Sequence, residues 1–133
     1  MVTMTAAQRR EDERERFNVF VSTCPSRTLL ERLSDKWVSL VLCALDGGPQ
    51  RYGELRSSIA GVSQKMLTQT LRNLEADGLV LRTVTPEVPV RVDYELTELG
   101  RSLQVVLSGL KQWAETNVPE ILEARERYAA ANG

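Results

Sequence analysis

Histidine is missing from the 133 residues, and cysteine occurs only twice. Without histidine the commonest general base is gone, and two thiols are too few ligands to close a structural zinc site. Long apolar runs are missing too. The longest, Leu40 to Leu45, falls far short of the ~20 residues that cross a bilayer. The first residues are polar and charged and lack the apolar stretch of a signal peptide, so a cytoplasmic location with both thiols reduced is expected. Neither sign of charge dominates: 17 Lys and Arg face 18 Asp and Glu, for a net charge of −1. A role at nucleic acid must therefore be argued from where the charges lie. There is no glycine-rich phosphate cradle, internal repeat or low-complexity tract. These gaps leave no cofactor, metal or membrane in the expectation, and one domain with extensions is the reading of the length.

The most informative stretch is Gly61 to Val80, GVSQKMLTQTLRNLEADGLV. At 3.6 residues per turn, Leu67, Leu71 and Leu74 share a stripe, bordered by Met66 and Thr70. Ser63 is placed to cap the first turn, and Gly78 suits the left-handed residue after the last one. The spacing predicts one helix over Gln64 to Asp77. Its other side carries Gln64, Lys65, Thr68, Gln69, Arg72 and Asn73, side chains of the kind that read base edges or hold phosphates. No acidic residue occurs from Leu55 through Leu74, whereas Arg56, Lys65 and Arg72 do. A face meant only for water usually mixes its signs.

The flanks fit around that helix. Residues 1 to 8 look frayed, and the mixed charges of Arg9 to Arg16 suit a solvent-exposed helix that ends in Phe17, Phe20 and Val21. Cys24-Pro25 breaks it. A short helix, Arg27 to Leu33, is expected to turn Leu29, Leu30 and Leu33 inward. A second, Lys36 to Leu45, is expected to bury Trp37, Leu40, Val41, Ala44 and Leu45, and Asp46-Gly47-Gly48-Pro49 stops it. Arg51-Tyr52 reads as a two-residue strand, and Gly53 to Ile59 as the first helix of a helix-turn-helix whose second member starts after Ser63. Beyond Gly78 the period changes to two: Leu79 to Thr85 and Val90 to Leu96 form a hairpin, stiffened at its tip by Pro86 and Pro89. Thr97 caps a long helix in which Leu99, Leu103, Val106, Leu110 and Trp113 step by 4, 3, 4 and 3, the spacing of a seam between subunits. Pro119 is expected to end or kink it, with a last short helix around Ile121, Leu122 and Tyr128.

The blocks CPSRTLLERLSDKWVSLVLCAL, RYGELRSSIAGVSQKMLTQTLRNLEADGLVLRTV and PEVPVRVDYELTELGRSL resemble the HxlR-type winged helix-turn-helix transcriptional regulators of bacteria. The likeness runs from about Cys24 to Val106. Ser34-Asp35 stands where glycines are frequent in that family, and Val90 follows Pro89 where Pro-Arg is frequent. Both departures lie outside the reading helix. The resemblance implies a mainly α fold with a small β-hairpin, divided into an N-terminal dimerisation helix and tail (1–23), a winged helix-turn-helix (24–97) and C-terminal dimerisation helices (98–133). It also implies a homodimer, held through Phe17, Phe20, Leu99, Leu103, Val106, Leu110 and Trp113. The implied activity is sequence-specific binding of double-stranded DNA at a pseudo-palindromic operator, where the protein represses or activates a nearby operon, repressor being the preferred reading. Ser63, Gln64, Lys65, Thr68, Gln69 and Arg72 would face the major groove, and Arg51, Arg82 and Arg91 complete the DNA-facing set. Cys24 is the candidate redox-sensing residue, open to an electrophile or oxidant; Cys43, beside an apolar face, is expected to be inert packing. Three alternatives stand beside this reading. One is control by a small-molecule effector at the dimer interface. Another is a winged helix serving protein interaction without DNA. The third, an enzyme using Cys24, has no base to activate its thiol.

Overall fold

The computed structural model of the chain describes residues 3–16 and 25–133. Those residues fall into two compact units that meet in sequence between Ser39 and Leu40.

In the first unit, α1 (Ala6–Arg16) begins earlier than the charge pattern suggested. Thr5 Oγ1 accepts from the Gln8 amide at 3.1 Å, and the Gln8 side chain accepts from the Thr5 amide at 2.8 Å. This reciprocal capping box satisfies two end donors, so the helix starts at Ala6 where fraying was expected. Helix α2 (Pro25–Leu33) opens on its proline, whose fixed φ and missing N–H suit a first helical position. Its leucines do not turn inward. Leu29 and Leu30 are exposed, Leu33 is half-buried, and no residue of α2 is buried. The stripe says that this face is apolar; it does not say what covers it.

Helix α3 (Lys36–Ala44) is begun by Asp35, whose Oδ1 accepts from the Trp37 amide at 2.9 Å. It buries Val38, Val41 and Leu42, with Leu45 just beyond, while Leu40 is exposed and Trp37 and Ala44 are half-buried. The expected stripe is thus rotated. In KWVSLVLCA two apolar stripes satisfy the same i, i+3, i+4 rule, so periodicity alone does not choose between them.

The second unit carries β1 (Gln50–Arg51), α4 (Tyr52–Ser58), α5 (Gln64–Ala76), β2 (Val80–Thr85), β3 (Arg91–Leu96) and α6 (Glu98–Asn132). The hairpin β2–β3 is in register from Val80 opposite Leu96 to Thr85 opposite Arg91. β1 adds to the far side of β3, with Gln50 opposite Tyr94, so the sheet has three antiparallel strands in the order β1-β3-β2. Helix α5 packs on β2, α4 on β1 and β3, and α6 on β3. Leu55, Ile59, Leu67, Leu71, Leu74, Leu79, Val80 and Leu96 are buried between these elements.

Gly78 ends α5 at φ 74°, a region closed to most side chains, and the Leu79 amide reaches back to the Leu74 carbonyl at 3.0 Å. Thr97 then locks the far end of the hairpin to that turn. Its hydroxyl donates to the Gly78 carbonyl at 2.7 Å and accepts from the Gly100 amide at 3.0 Å, capping α6. Gly100 packs so closely that a Cβ there would run into the Leu79 carbonyl oxygen.

Pro119 does not end α6, which stays one helix of 35 residues. The separate last helix expected from the sequence is the continuation of α6. A proline removes one N–H and costs about 3 kcal/mol locally, but the residues beyond it, Glu-Ile-Leu-Glu-Ala-Arg-Glu-Arg, are mostly strong helix formers. Among the described residues no helix is both long and apolar enough to cross a membrane.

Candidate nucleic-acid interface

The site is built on the turn between α4 and α5. Gly61 takes φ 82° there, and buried Val62 anchors the turn to the core. Ser63 Oγ accepts from the Met66 amide at 3.1 Å, so the sequence-predicted cap is in place and that hydroxyl is already engaged. Leu67, Thr70, Leu71 and Leu74 form the inner face of α5; Thr70, expected at the border, is buried with them. Gln64, Lys65, Gln69 and Arg72 are exposed, and Thr68 and Asn73 are half-buried. The helix therefore turns away from the core a side that carries Lys65 and Arg72 and whose single carboxylate, Glu75, lies in the last turn.

Three polar side chains on this side are already organised. Gln69 donates its amide to Asn73 Oδ1 at 3.1 Å, one turn on. Thr68 Oγ1 lies 3.2 Å from the Tyr52 hydroxyl, and that hydroxyl donates to the Gln64 carbonyl at 3.1 Å. Tyr52 thus ties the first residue of α4 to the first turns of α5.

Two clefts lie in this region, one along α5 and one between the start of α4 and the hairpin. One, of about 320 Å³, is lined by Thr68, Leu71, Arg72, Glu75, Arg82 and Tyr94, so Arg72 of α5 and Arg82 of β2 share a wall. The other, of about 310 Å³, brings Arg51 and Arg91 together beside Tyr52 and the hairpin tip. Arg91 is not a bare cation. It donates to Asp93 Oδ2 at 2.9 Å. That hydrogen bond and the Asp93 charge, aided by Glu87 and Glu54, raise the guanidinium above its usual pKa and keep it ionised.

A helix-turn-helix followed by a hairpin, with arginines on both, is the architecture of a winged reader of duplex DNA. The sequence matches the HxlR-like helix-turn-helix family over residues 32–122. The chain belongs to that family. It is 43% identical over 113 residues to the HTH-type transcriptional regulator YtfH of Escherichia coli (strain K12), covering 85% of this chain and 90% of that protein. The solved structure of the transcriptional regulator ytfH from Salmonella typhimurium is similar at a TM-score of 0.76 and 42% identity, over 82% of this chain and 97% of that one. The redox regulator HypR in its oxidized form matches at a TM-score of 0.66 and 39% identity, over 71% of this chain and 97% of that one. This HxlR-like chain is accordingly a DNA-binding transcription regulator with a winged helix-turn-helix.

The remaining expected residues fall into two groups. Phe17, Phe20 and Cys24 lie outside the described residues. On α6, Leu99, Val106, Leu110 and Trp113 are exposed and Leu103 is half-buried, while Gly100, Gln104 and Leu107 form the buried side of that helix. Cys43 is a free, half-buried thiol with the Gln104 amide 3.7 Å from its sulfur. Sequence reasoning passed over Tyr52 and Asp93. Asn73, which it placed on the polar side of α5, is the partner of Gln69. The spacing Arg91-x-Asp93, two residues apart on one face of a strand, was the signal available for Asp93. Nothing local marks Tyr52, whose partners lie 12 and 16 residues away.

Proposed function

We propose that the chain binds a pseudo-palindromic operator as a homodimer and represses transcription there, with α5 in the major groove. Gln64, Thr68 and Gln69 take base edges; Lys65 and Arg72 take phosphate or guanine; Arg51, Arg82 and Arg91 hold the backbone beside the wing. The observation that carries this reading is the exposed side of α5, where Lys65 and Arg72 stand among amides and hydroxyls with Glu75 of the last turn as its one carboxylate, and where Arg82 shares a cleft with Arg72. The exposed seam Leu99, Val106, Leu110 and Trp113 supports the homodimer, because so regular an apolar row is an interface pattern. Two-fold symmetry sets the paired helices one DNA turn apart, ~34 Å. Selection from a random duplex library should return inverted half-sites with that spacing. A single half-site, or no enrichment, would refute the dimeric reading.

The likeness to a redox regulator favours a second layer, control through the thiol of Cys24. Diamide or a quinone should then abolish operator binding by the wild type and spare Cys24→Ser. Equal loss in both would remove Cys24 from the account.

A further inference from the structure

The contacts of Tyr52 have a consequence for base preference. A tyrosine hydroxyl has one proton, and a carbonyl has none. The 3.1 Å contact between the Tyr52 hydroxyl and the Gln64 carbonyl is a hydrogen bond only if Tyr52 donates. That proton is then spent, so the 3.2 Å contact with Thr68 is a hydrogen bond only if Thr68 Oγ1 donates to Tyr52. The chain of donation runs from Thr68 to Tyr52 to the Gln64 carbonyl. Thr68, whose own proton points back at α4, presents only lone pairs on its open side.

We infer that Tyr52 is a positioning residue for specificity: it makes the Thr68 hydroxyl an acceptor only, and so selects an amino-bearing base edge at one step of each half-site. The inference rests on the proposed docking of α5 in the major groove. There, adenine offers N6–H₂ and cytosine N4–H₂ as donors, whereas thymine O4 and guanine O6 and N7 only accept. An acceptor-only Thr68 is matched by adenine or cytosine and meets a keto oxygen with lone pair against lone pair. Buried in a groove, that mismatch leaves two polar atoms unsatisfied. The other members of the site are not interchangeable with Thr68. Gln69 keeps both kinds of group in its amide, and Lys65 and Arg72 only donate.

Tyr52→Phe removes the acceptor for the Thr68 proton and leaves the ring. The Thr68 rotor is then free to donate to a keto oxygen or to accept from an amino group. Selection from a randomised duplex library should be run on wild type, Tyr52→Phe, Thr68→Val and the double variant, with thermal melting of each. The position that changes with Thr68→Val is the one Thr68 reads. There the wild type should prefer adenine or cytosine over thymine or guanine by roughly tenfold, within the span of a single base contact. Tyr52→Phe should cut that preference to less than threefold at that position alone, leaving the other positions and the salt slope unchanged. The double variant should match Thr68→Val at that position, because Tyr52 sets the preference there through the Thr68 hydroxyl, while its bond to the Gln64 carbonyl carries no base preference. The inference is overturned if the wild type selects thymine or guanine there, or if Tyr52→Phe lowers affinity evenly across all sequences with the preferences intact. Failure of the wild type to select any duplex would instead overturn the DNA-docking reading itself, and this inference with it.

Discussion

Arg91 and Asp93 sit two residues apart on β3 with their side chains joined at 2.9 Å. A guanidinium so held spends part of its charge inside the protein, and a phosphate must compete with Asp93 for it. Asp93→Asn keeps the shape and removes the competing charge. Operator binding should tighten at low salt, and the dependence of affinity on salt should steepen by about one phosphate contact per protomer; titration across a salt series reads both. An unaltered slope would take Arg91 out of the DNA-facing set. The pair adds no pH dependence near neutrality. The hydrogen bond to Asp93 and its charge lift the Arg91 guanidinium above its already high ordinary pKa, so any stability the pair contributes is complete at neutral pH and is lost only in strongly alkaline solution, as pH climbs past the raised value.

At the scale of elements, the second unit depends on a knot of short contacts where α5 ends and α6 begins: Gly78, Leu79, Thr97 and Gly100. Gly100→Ala forces α6 off the Leu79 carbonyl, and overpacking of this kind costs about 1–3 kcal/mol. Urea unfolding followed by circular dichroism should show the loss; an unchanged midpoint would mean that the turn yields freely. Helix α5 was legible in the sequence almost to the residue, because a cap at Ser63, a leucine stripe and a glycine stop all agree. The hairpin was legible for the same kind of reason, a change of period with β-branched residues on both sides. What the sequence hid were choices between equivalent local options. Helix α3 has two usable apolar stripes. Pro119 interrupts a run whose neighbours outvote it. The two-residue strand expected at Arg51-Tyr52 lies one residue earlier, at Gln50–Arg51, where it pairs with β3 and Tyr52 opens α4. The Tyr52–Thr68 contact was invisible for another reason: it joins residues 16 apart through a turn whose geometry no local pattern specifies.

Across the whole molecule, the α6 seam is a surface that the described residues of the single chain leave uncovered, with Val106 67% and Leu110 61% exposed. Placing a charge there disturbs little within one protomer, since exposed substitutions usually stay within about 0.5 kcal/mol. It is costly across a symmetric interface, where each change is met twice. Leu110→Asp should therefore sediment as a folded monomer and bind a full operator far more weakly than the wild type, while an isolated half-site loses little. A variant that remains dimeric would move the interface elsewhere.

The central claim is that the open side of α5 enters the groove of a duplex. The most direct measurement is the affinity for a selected operator, by fluorescence anisotropy at fixed salt, of the wild type and of Lys65→Ala/Arg72→Ala. Both positions are exposed and outside the core, so the variant should melt with the wild type. It should lose at least tenfold in affinity, with a shallower salt dependence as the lost phosphate contacts no longer release counterions. Equal affinity and equal slope in a folded variant would contradict the claim.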